Sequence, residues 1–180
     1  MAGPLTVSKI TKEIVITADS DEKMYDGQPL TKATYTYTEG VLAEGDELTA
    51  VVEGTITNVG TADNVVTSYK VMRGETDVTA NYTFGESVKG TLEVTKRSVT
   101  LTSATDSKTY DGTPLTNSTV TVSGDGFVTG EGATYSVTGT ITDPGTVDNE
   151  FTYTLNEGTK ADNYNISTVA GTLTVSKITK

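Results

Sequence analysis

The chain has 180 residues, no cysteine, no histidine and a formal net charge of −11, from 13 Lys and Arg against 24 Asp and Glu. That composition excludes disulfides, thiol nucleophiles, thiolate metal sites and histidine-based triads, and with no Lys/Arg run to follow a phosphate backbone it argues against a nucleic-acid partner. The acidic balance opposes adsorption to anionic lipid, and no apolar stretch approaches the ~20 residues of a membrane helix, so no membrane insertion is expected in this segment.

Tyr25 recurs as Tyr110, 85 residues on, within the stretches Lys23-Met24-Tyr25-Asp26-Gly27-Gln28-Pro29-Leu30-Thr31 and Lys108-Thr109-Tyr110-Asp111-Gly112-Thr113-Pro114-Leu115-Thr116. A period of this length exceeds a solenoid turn and suffices for a complete small domain. It divides the chain into repeat domains at residues 13–96 and 97–180. Ahead of them, Met1-Ala2-Gly3-Pro4 reads as a tag remnant, and Leu5–Lys12 repeats Leu173–Lys180 letter for letter. Residues 1–12 are therefore expected to hold the end of a preceding repeat or a duplicated boundary, in a segment of a longer tandem array.

Each domain opens with alternating apolar residues, Ile14 and Ile16 in the first and Val99 and Leu101 in the second, which predicts a half-buried strand. The Tyr-Asp-Gly stretch follows as a turn. Gly27 and Gly112 tolerate positive φ, the prolines at 29 and 114 fix φ and cannot donate to a central ladder, and the preceding tyrosine can bury its ring. Thr34–Thr38 and Thr119–Ser123 alternate as one-sided antiparallel strands do. After acidic glycine-rich loops, Ala50, Val52, Gly54 and Ile56 match Tyr135, Val137, Gly139 and Ile141 in a further predicted strand. Asp63-Asn64 and Asp148-Asn149 open the next segment, whose apolar marks in the second copy are Phe151, Tyr153 and Leu155.

Asn81-Tyr82 pairs with Asn163-Tyr164 at an offset of 82, so the first copy carries three extra residues, expected in the turn near Arg73-Gly74-Glu75. Gly90–Val94 and Gly171–Val175 close the copies. With Thr, Val and Tyr filling every periodic segment, the chain is predicted to be all-β: two tandem small antiparallel β-sandwich domains of immunoglobulin-like type, with a β-grasp-like variant as the alternative. Only seven residues separate Leu92 from Val99 and no Gly/Ser linker intervenes, so closely joined domains forming a rod are expected.

The pattern Lys-x-Tyr-Asp-Gly-x-Pro-Leu-Thr, the Gly-Thr-Ile-Thr at Gly54–Thr57 and Gly139–Thr142, and the Phe151–Leu155, Asp162-Asn163-Tyr164 and Gly171–Val175 stretches resemble the Tyr-Asp-Gly-type tandem repeats of bacterial cell-surface proteins and adhesins. The likeness spans nearly all of both copies and is closer in the second; the first departs from it between Val65 and Asp77. It implies a spacer or stalk of an extracellular, wall-associated protein and assigns no catalytic residue.

The acidic residues Asp26, Asp63, Asp111 and Asp148 recur in Gly or Asn contexts and read as turn caps rather than a glycosidase pair. No Gly-x-Ser-x-Gly elbow occurs, and no enzyme is expected. Calcium is the cofactor considered, with Asp19, Asp21 and Asp125 as loop ligands, though their spacing matches no EF-hand. A Lys–Asn isopeptide bond would need a neutral buried amine from Lys23 or Lys108, an amide from Asn81 or Asn163 and an acid such as Asp63 or Asp148. Three Asn-x-Ser/Thr matches, at Asn81, Asn117 and Asn165, arise readily in a Thr-rich chain. The residues expected to matter structurally are Lys23, Tyr25, Asp26, Gly27, Pro29 and Leu30, with Lys108, Tyr110, Asp111, Gly112, Pro114 and Leu115. The expected partners are neighbouring repeats, with host glycan or protein reached through other domains; the chain is expected to be a monomer. Alternative readings are a glycan- or protein-binding adhesive module, signalled by a tyrosine cluster on the surface, and accessory repeats of an extracellular enzyme.

Overall fold

The structure, a computed structural model, describes residues 2–8 and 10–180. The chain divides into two compact units, Met1–Thr95 and Lys96–Lys180. Both are all-β; among the described residues the helical pieces are two single 3-10 turns, Thr79–Asn81 and Ala161–Asn163. No helix among them is long and apolar enough to cross a membrane.

The first unit contains β1 (Glu13–Ile14), β2 (Ile16–Ala18), β3 (Asp21–Met24), β4 (Tyr35–Tyr37), β5 (Asp46–Glu53), β6 (Gly60–Arg73), β7 (Thr76–Asp77), β8 (Thr83–Phe84) and β9 (Gly90–Thr95). The second contains β10 (Arg97–Ser103), β11 (Asp106–Thr109), β12 (Val120–Gly124), β13 (Ala133–Val137), β14 (Gly145–Asn149), β15 (Phe151–Leu155), β16 (Tyr164–Val169) and β17 (Gly171–Ser176). Period-two burial underlies the opening and closing strands. Ile14, Ile16 and Ala18 are buried in the first unit and Val99, Leu101 and Ser103 in the second, and so are Leu92 and Val94 or Leu173 and Val175 on the closing strands. Each such aliphatic side chain contributes ~1.5–3 kcal/mol when taken out of water.

The pairing is mixed, which corrects the expectation of purely antiparallel domains. Antiparallel ladders join β2 to β4, β5 to β6 and β6 to β9, and likewise β10 to β12, β13 to β15 and β14 to β17. The opening segments, however, run parallel to the closing ones: β1 with β8, β3 with β9, β10 with β16 and β11 with β17. Periodicity reports which face a side chain takes and is blind to strand direction. A parallel pair requires a long crossover, and here almost a whole unit separates the two partners.

Two further expectations shift. The Ala50–Ile56 strand ends at Glu53, and Ile56 makes only an isolated bridge with Leu30. The break falls at Gly54, where a Cβ would sit 2.7 Å from both the Asp63 carbonyl and Asn64 Oδ1. The three extra residues of the first copy are also divided. Val51 pairs with Ser68 and Val52 with Val66, leaving Thr67 as a bulge, whereas Ser136 and Val137 pair with consecutive residues Thr152 and Phe151. Thr67 is thus one insertion, and the other two lie beyond it, where β6 turns through Gly74 (φ +58°) into β7.

Candidate functional site

The Tyr-Asp-Gly stretch is the most elaborately bonded feature that recurs. Lys23, at the end of β3, folds its ammonium back into the turn, donating to Asp26 Oδ1 at 2.8 Å, to the Gln28 carbonyl at 2.7 Å and to the Pro29 carbonyl at 3.3 Å. Lys108 does the same with Asp111 Oδ1 at 2.8 Å and the Thr113 and Pro114 carbonyls at 2.7 and 3.4 Å, adding the Thr113 hydroxyl at 2.8 Å. The aspartate also accepts the amide two residues on, from Gln28 or Thr113, each at 2.9 Å. Gly27 and Gly112 take φ of +79° and +78°, the conformation that makes glycine necessary there.

The lysine cation is the first cause holding the Asp26 and Asp111 carboxyls below the usual range; the Gln28 amide assists at Asp26, and the Thr113 hydroxyl and amide at Asp111. After the turn, Leu30 and Leu115 are buried and exchange backbone hydrogen bonds with Ile56 and Ile141. The tyrosines differ: Tyr25 is buried, whereas Tyr110 is 37% exposed.

These contacts bear on the isopeptide chemistry. The bond needs an amine beside an asparagine amide; the Lys23 and Lys108 amines instead donate to an aspartate and two or three further oxygens of their own turn. Asp63, considered as the acid, pairs with Lys89 at 2.7 Å on the surface, and Asp148 is exposed on β14.

Two features went unrecognised in the sequence. Asn64 and Asn149 are fully buried. Their amides each donate to two backbone carbonyls, those of Asp19 and Lys32 at 2.8 and 2.7 Å, or of Ala104 and Asn117 at 3.0 and 2.9 Å, while Oδ1 accepts nothing. Each asparagine ties the loop after the opening strand to the loop after the lysine turn. Its Oδ1 lies against Gly54 or Gly139, which explains why those positions lack a side chain.

The second feature is a tyrosine latch. The Tyr82 hydroxyl accepts the Ala43 amide at 2.8 Å and donates to Asp46 Oδ2 at 2.6 Å, and Arg73 Nε donates to the other Asp46 oxygen at 2.7 Å. Tyr164 repeats it with the Val128 amide at 3.1 Å and Glu131 Oε2 at 3.0 Å. Burial, then the hydrogen bond to Asp46, raises the Tyr82 pKa, and the Tyr82 hydroxyl is the first cause lowering that of Asp46. Recurrence of Asp63-Asn64 as Asp148-Asn149 and of Asn81-Tyr82 as Asn163-Tyr164 was the available signal.

The calcium candidates are occupied locally. Asp19 Oδ2 accepts the Thr34 hydroxyl, Asp21 Oδ1 the Glu22 amide, and Asp125 Oδ2 the Ser98 amide. Among the described residues no three acidic groups gather to hold an ion. Of the glycosylation matches, Asn117 bonds to Asp106 and to the Thr119 amide, while Asn81 and Asn165 are exposed. Of the tyrosines, Tyr35 and Tyr37 line a shallow groove with Thr36, Glu39, Gly40 and Leu42; Val120 and Val122 occupy the corresponding positions of the second unit. Comparison of the chain with protein-family models, with curated proteins and with solved structures yields no match.

Proposed function

We propose that the two units are spacer repeats from the stalk of a bacterial cell-surface adhesin, each a small sandwich related to the immunoglobulin-like type with β-grasp-like parallel pairing, and that they carry a distal binding domain away from the wall. The observation that supports this best is how the recurring polar residues are used. Lys23 and Lys108, Asp26 and Asp111, Asn64 and Asn149, and Tyr82 and Tyr164 all bind turns and loops of their own unit. What the duplication preserves is architecture. Small-angle scattering on this chain and on a chain with four units tests the reading: a stalk gives a maximum dimension rising in proportion to unit number, and a dimension that levels off refutes it.

A second reading, an adhesive module for host glycan or protein, draws on the Tyr35–Tyr37 groove, which presents two rings beside Glu39. Binding by the first unit to a glycan array, lost in Tyr37→Ala, would favour it over the spacer.

A further inference from the structure

One strand edge is treated differently in the two units. In the first, β5 pairs with β6 along one side. On its other side the Tyr35 hydroxyl accepts the Ala50 amide at 3.0 Å and points to the Leu48 carbonyl at 3.5 Å, standing in for a neighbouring strand. Asp46, Glu47 and Glu53 add charge to β5, and charge is one of the devices that keep exposed edges from pairing.

In the second unit β13 pairs with β15 alone. The Thr138 amide donates to the Glu150 carbonyl and the Gly132 carbonyl accepts the Asn156 amide. By the antiparallel alternation, Thr134 and Ser136 then bond to β15, and Ala133, Tyr135 and Val137 turn their N–H and C=O groups to the open side. Val120 stands where the first unit has Tyr35, and it has no hydroxyl to offer them. Among the described residues none bonds to these outward groups. The strand, Ala-Thr-Tyr-Ser-Val, carries no charge, glycine or proline. Leu115 bridges Ile141 just beyond it. From there the chain diverges toward β12, leaving a groove of about 280 Å³ between Asn117 and Ser118 on one side and Val137 and Thr138 on the other.

We propose that β13 is a self-association edge, at which two copies of this chain pair β13 with β13, antiparallel about a two-fold axis at Tyr135. The strand's own pattern identifies the occupant. Ala133 meets the partner's Val137, Val137 meets the partner's Ala133, and Tyr135 meets its own counterpart. Each pair exchanges two main-chain hydrogen bonds, so every outward group is satisfied. Thr134 falls opposite the partner's Ser136, both exposed and uncharged, a hydroxyl pairing that sheets favour. Glu131, the one charge between residues 131 and 142, falls opposite the partner's Gly139, so no acid meets an acid although each chain carries −11. The inference goes beyond the spacer reading and stands without it.

The chain has no cysteine, so two single variants of the full chain, Thr134→Cys and Ser136→Cys, test the register. The two positions face each other as a non-hydrogen-bonded pair with Cα atoms ~4.5 Å apart, within disulfide reach. Identical positions are diagonal neighbours ~7–8 Å apart. Mild oxidation of the mixture should give, by intact mass, at least about tenfold more one-of-each dimer than either variant gives of its own dimer. Adding Val120→Tyr and Tyr135→Ala, the first unit's arrangement, to both should abolish it. Should that swap unfold the second unit, sedimentation equilibrium of the unmodified chain decides. Its mass should rise with concentration and with sodium chloride, which screens the repulsion between two acidic chains, whereas Thr134→Glu/Ser136→Glu should stay at the monomer mass. No excess of the mixed dimer, a folded swap variant that crosslinks as before, or a monomer mass at every concentration overturns the proposal.

Discussion

Replacing Asn149 by alanine should unfold the second unit well before the first. The side chain is fully buried and donates to the Ala104 and Asn117 carbonyls at 3.0 and 2.9 Å. Alanine leaves both carbonyls in a dry site without a donor, at a cost of ~1–3 kcal/mol each, so the variant should lose ~2–6 kcal/mol in all. For a unit of this size that is roughly 8–48 °C in Tm, and a large part of the ~5–15 kcal/mol that stabilises a typical domain. Urea unfolding, followed by the backbone amide NMR signals of each unit, should show the second transition moved to lower urea and the first unchanged. Asn149→Asp at neutral pH should be worse than alanine, since it sets a carboxylate against two carbonyl oxygens. A loss under about 1 kcal/mol for alanine, or an aspartate better tolerated than alanine, would show that the asparagine does not hold the loops.

Asp26 and Asp111 titrate lower in the folded chain than in the unfolded one, so the stability they contribute is complete above the unfolded carboxyl value near ~4 and is lost as pH falls toward the folded values. Thermal melts should hold a steady Tm from neutral pH to about 5 and decline below about 4, and Lys23→Met/Lys108→Met should make that decline shallower. Gly139→Ala should destabilise the second unit by about 2 kcal/mol or more, because its methyl would meet Asn149 Oδ1 and the Asn149 backbone; chemical denaturation measures this, and a neutral result would contradict the close approach. Tyr164→Phe removes the hydroxyl between the Val128 amide and Glu131, and denaturation should show a loss of ~1–2 kcal/mol. Calcium or a chelator should leave Tm unchanged, as a calorimetric scan would report, because Asp19, Asp21 and Asp125 already accept local donors.

The all-β class was legible in residues such as Ile14, Ile16, Val99 and Leu101, because alternation maps directly onto a strand's two faces. The turn at Asp26-Gly27 was legible for a similar reason: glycine before a spaced proline restricts the backbone locally. Strand direction was not legible. That β3 runs beside β9 depends on contacts just over 70 residues apart, and no local pattern encodes them. Nor was the use of Lys23 apparent; its ammonium bonds mostly to backbone oxygens of Gln28 and Pro29, which every residue possesses. Asn64 and Asn149 were hidden for the opposite reason, since asparagine next to aspartate ordinarily marks an exposed turn, and only tertiary burial turns it into a core residue. Thr67 shows the limit of an offset count, which detects three inserted residues without saying that one is a bulge.

The parallel pairing of opening with closing strands bears on how a unit responds to tension. When its two ends are drawn apart, β3 and β9, like β11 and β17, are pulled along their length in opposite senses. Their ladders are then loaded in shear, so that several hydrogen bonds must yield together. An antiparallel hairpin pulled at its open end would unzip them one at a time. The first resistance to stretching should therefore sit in the closing strand, beside the lysine turns, and a unit that gives way there would lose Leu92 and Val94, or Leu173 and Val175, from its core in the same event.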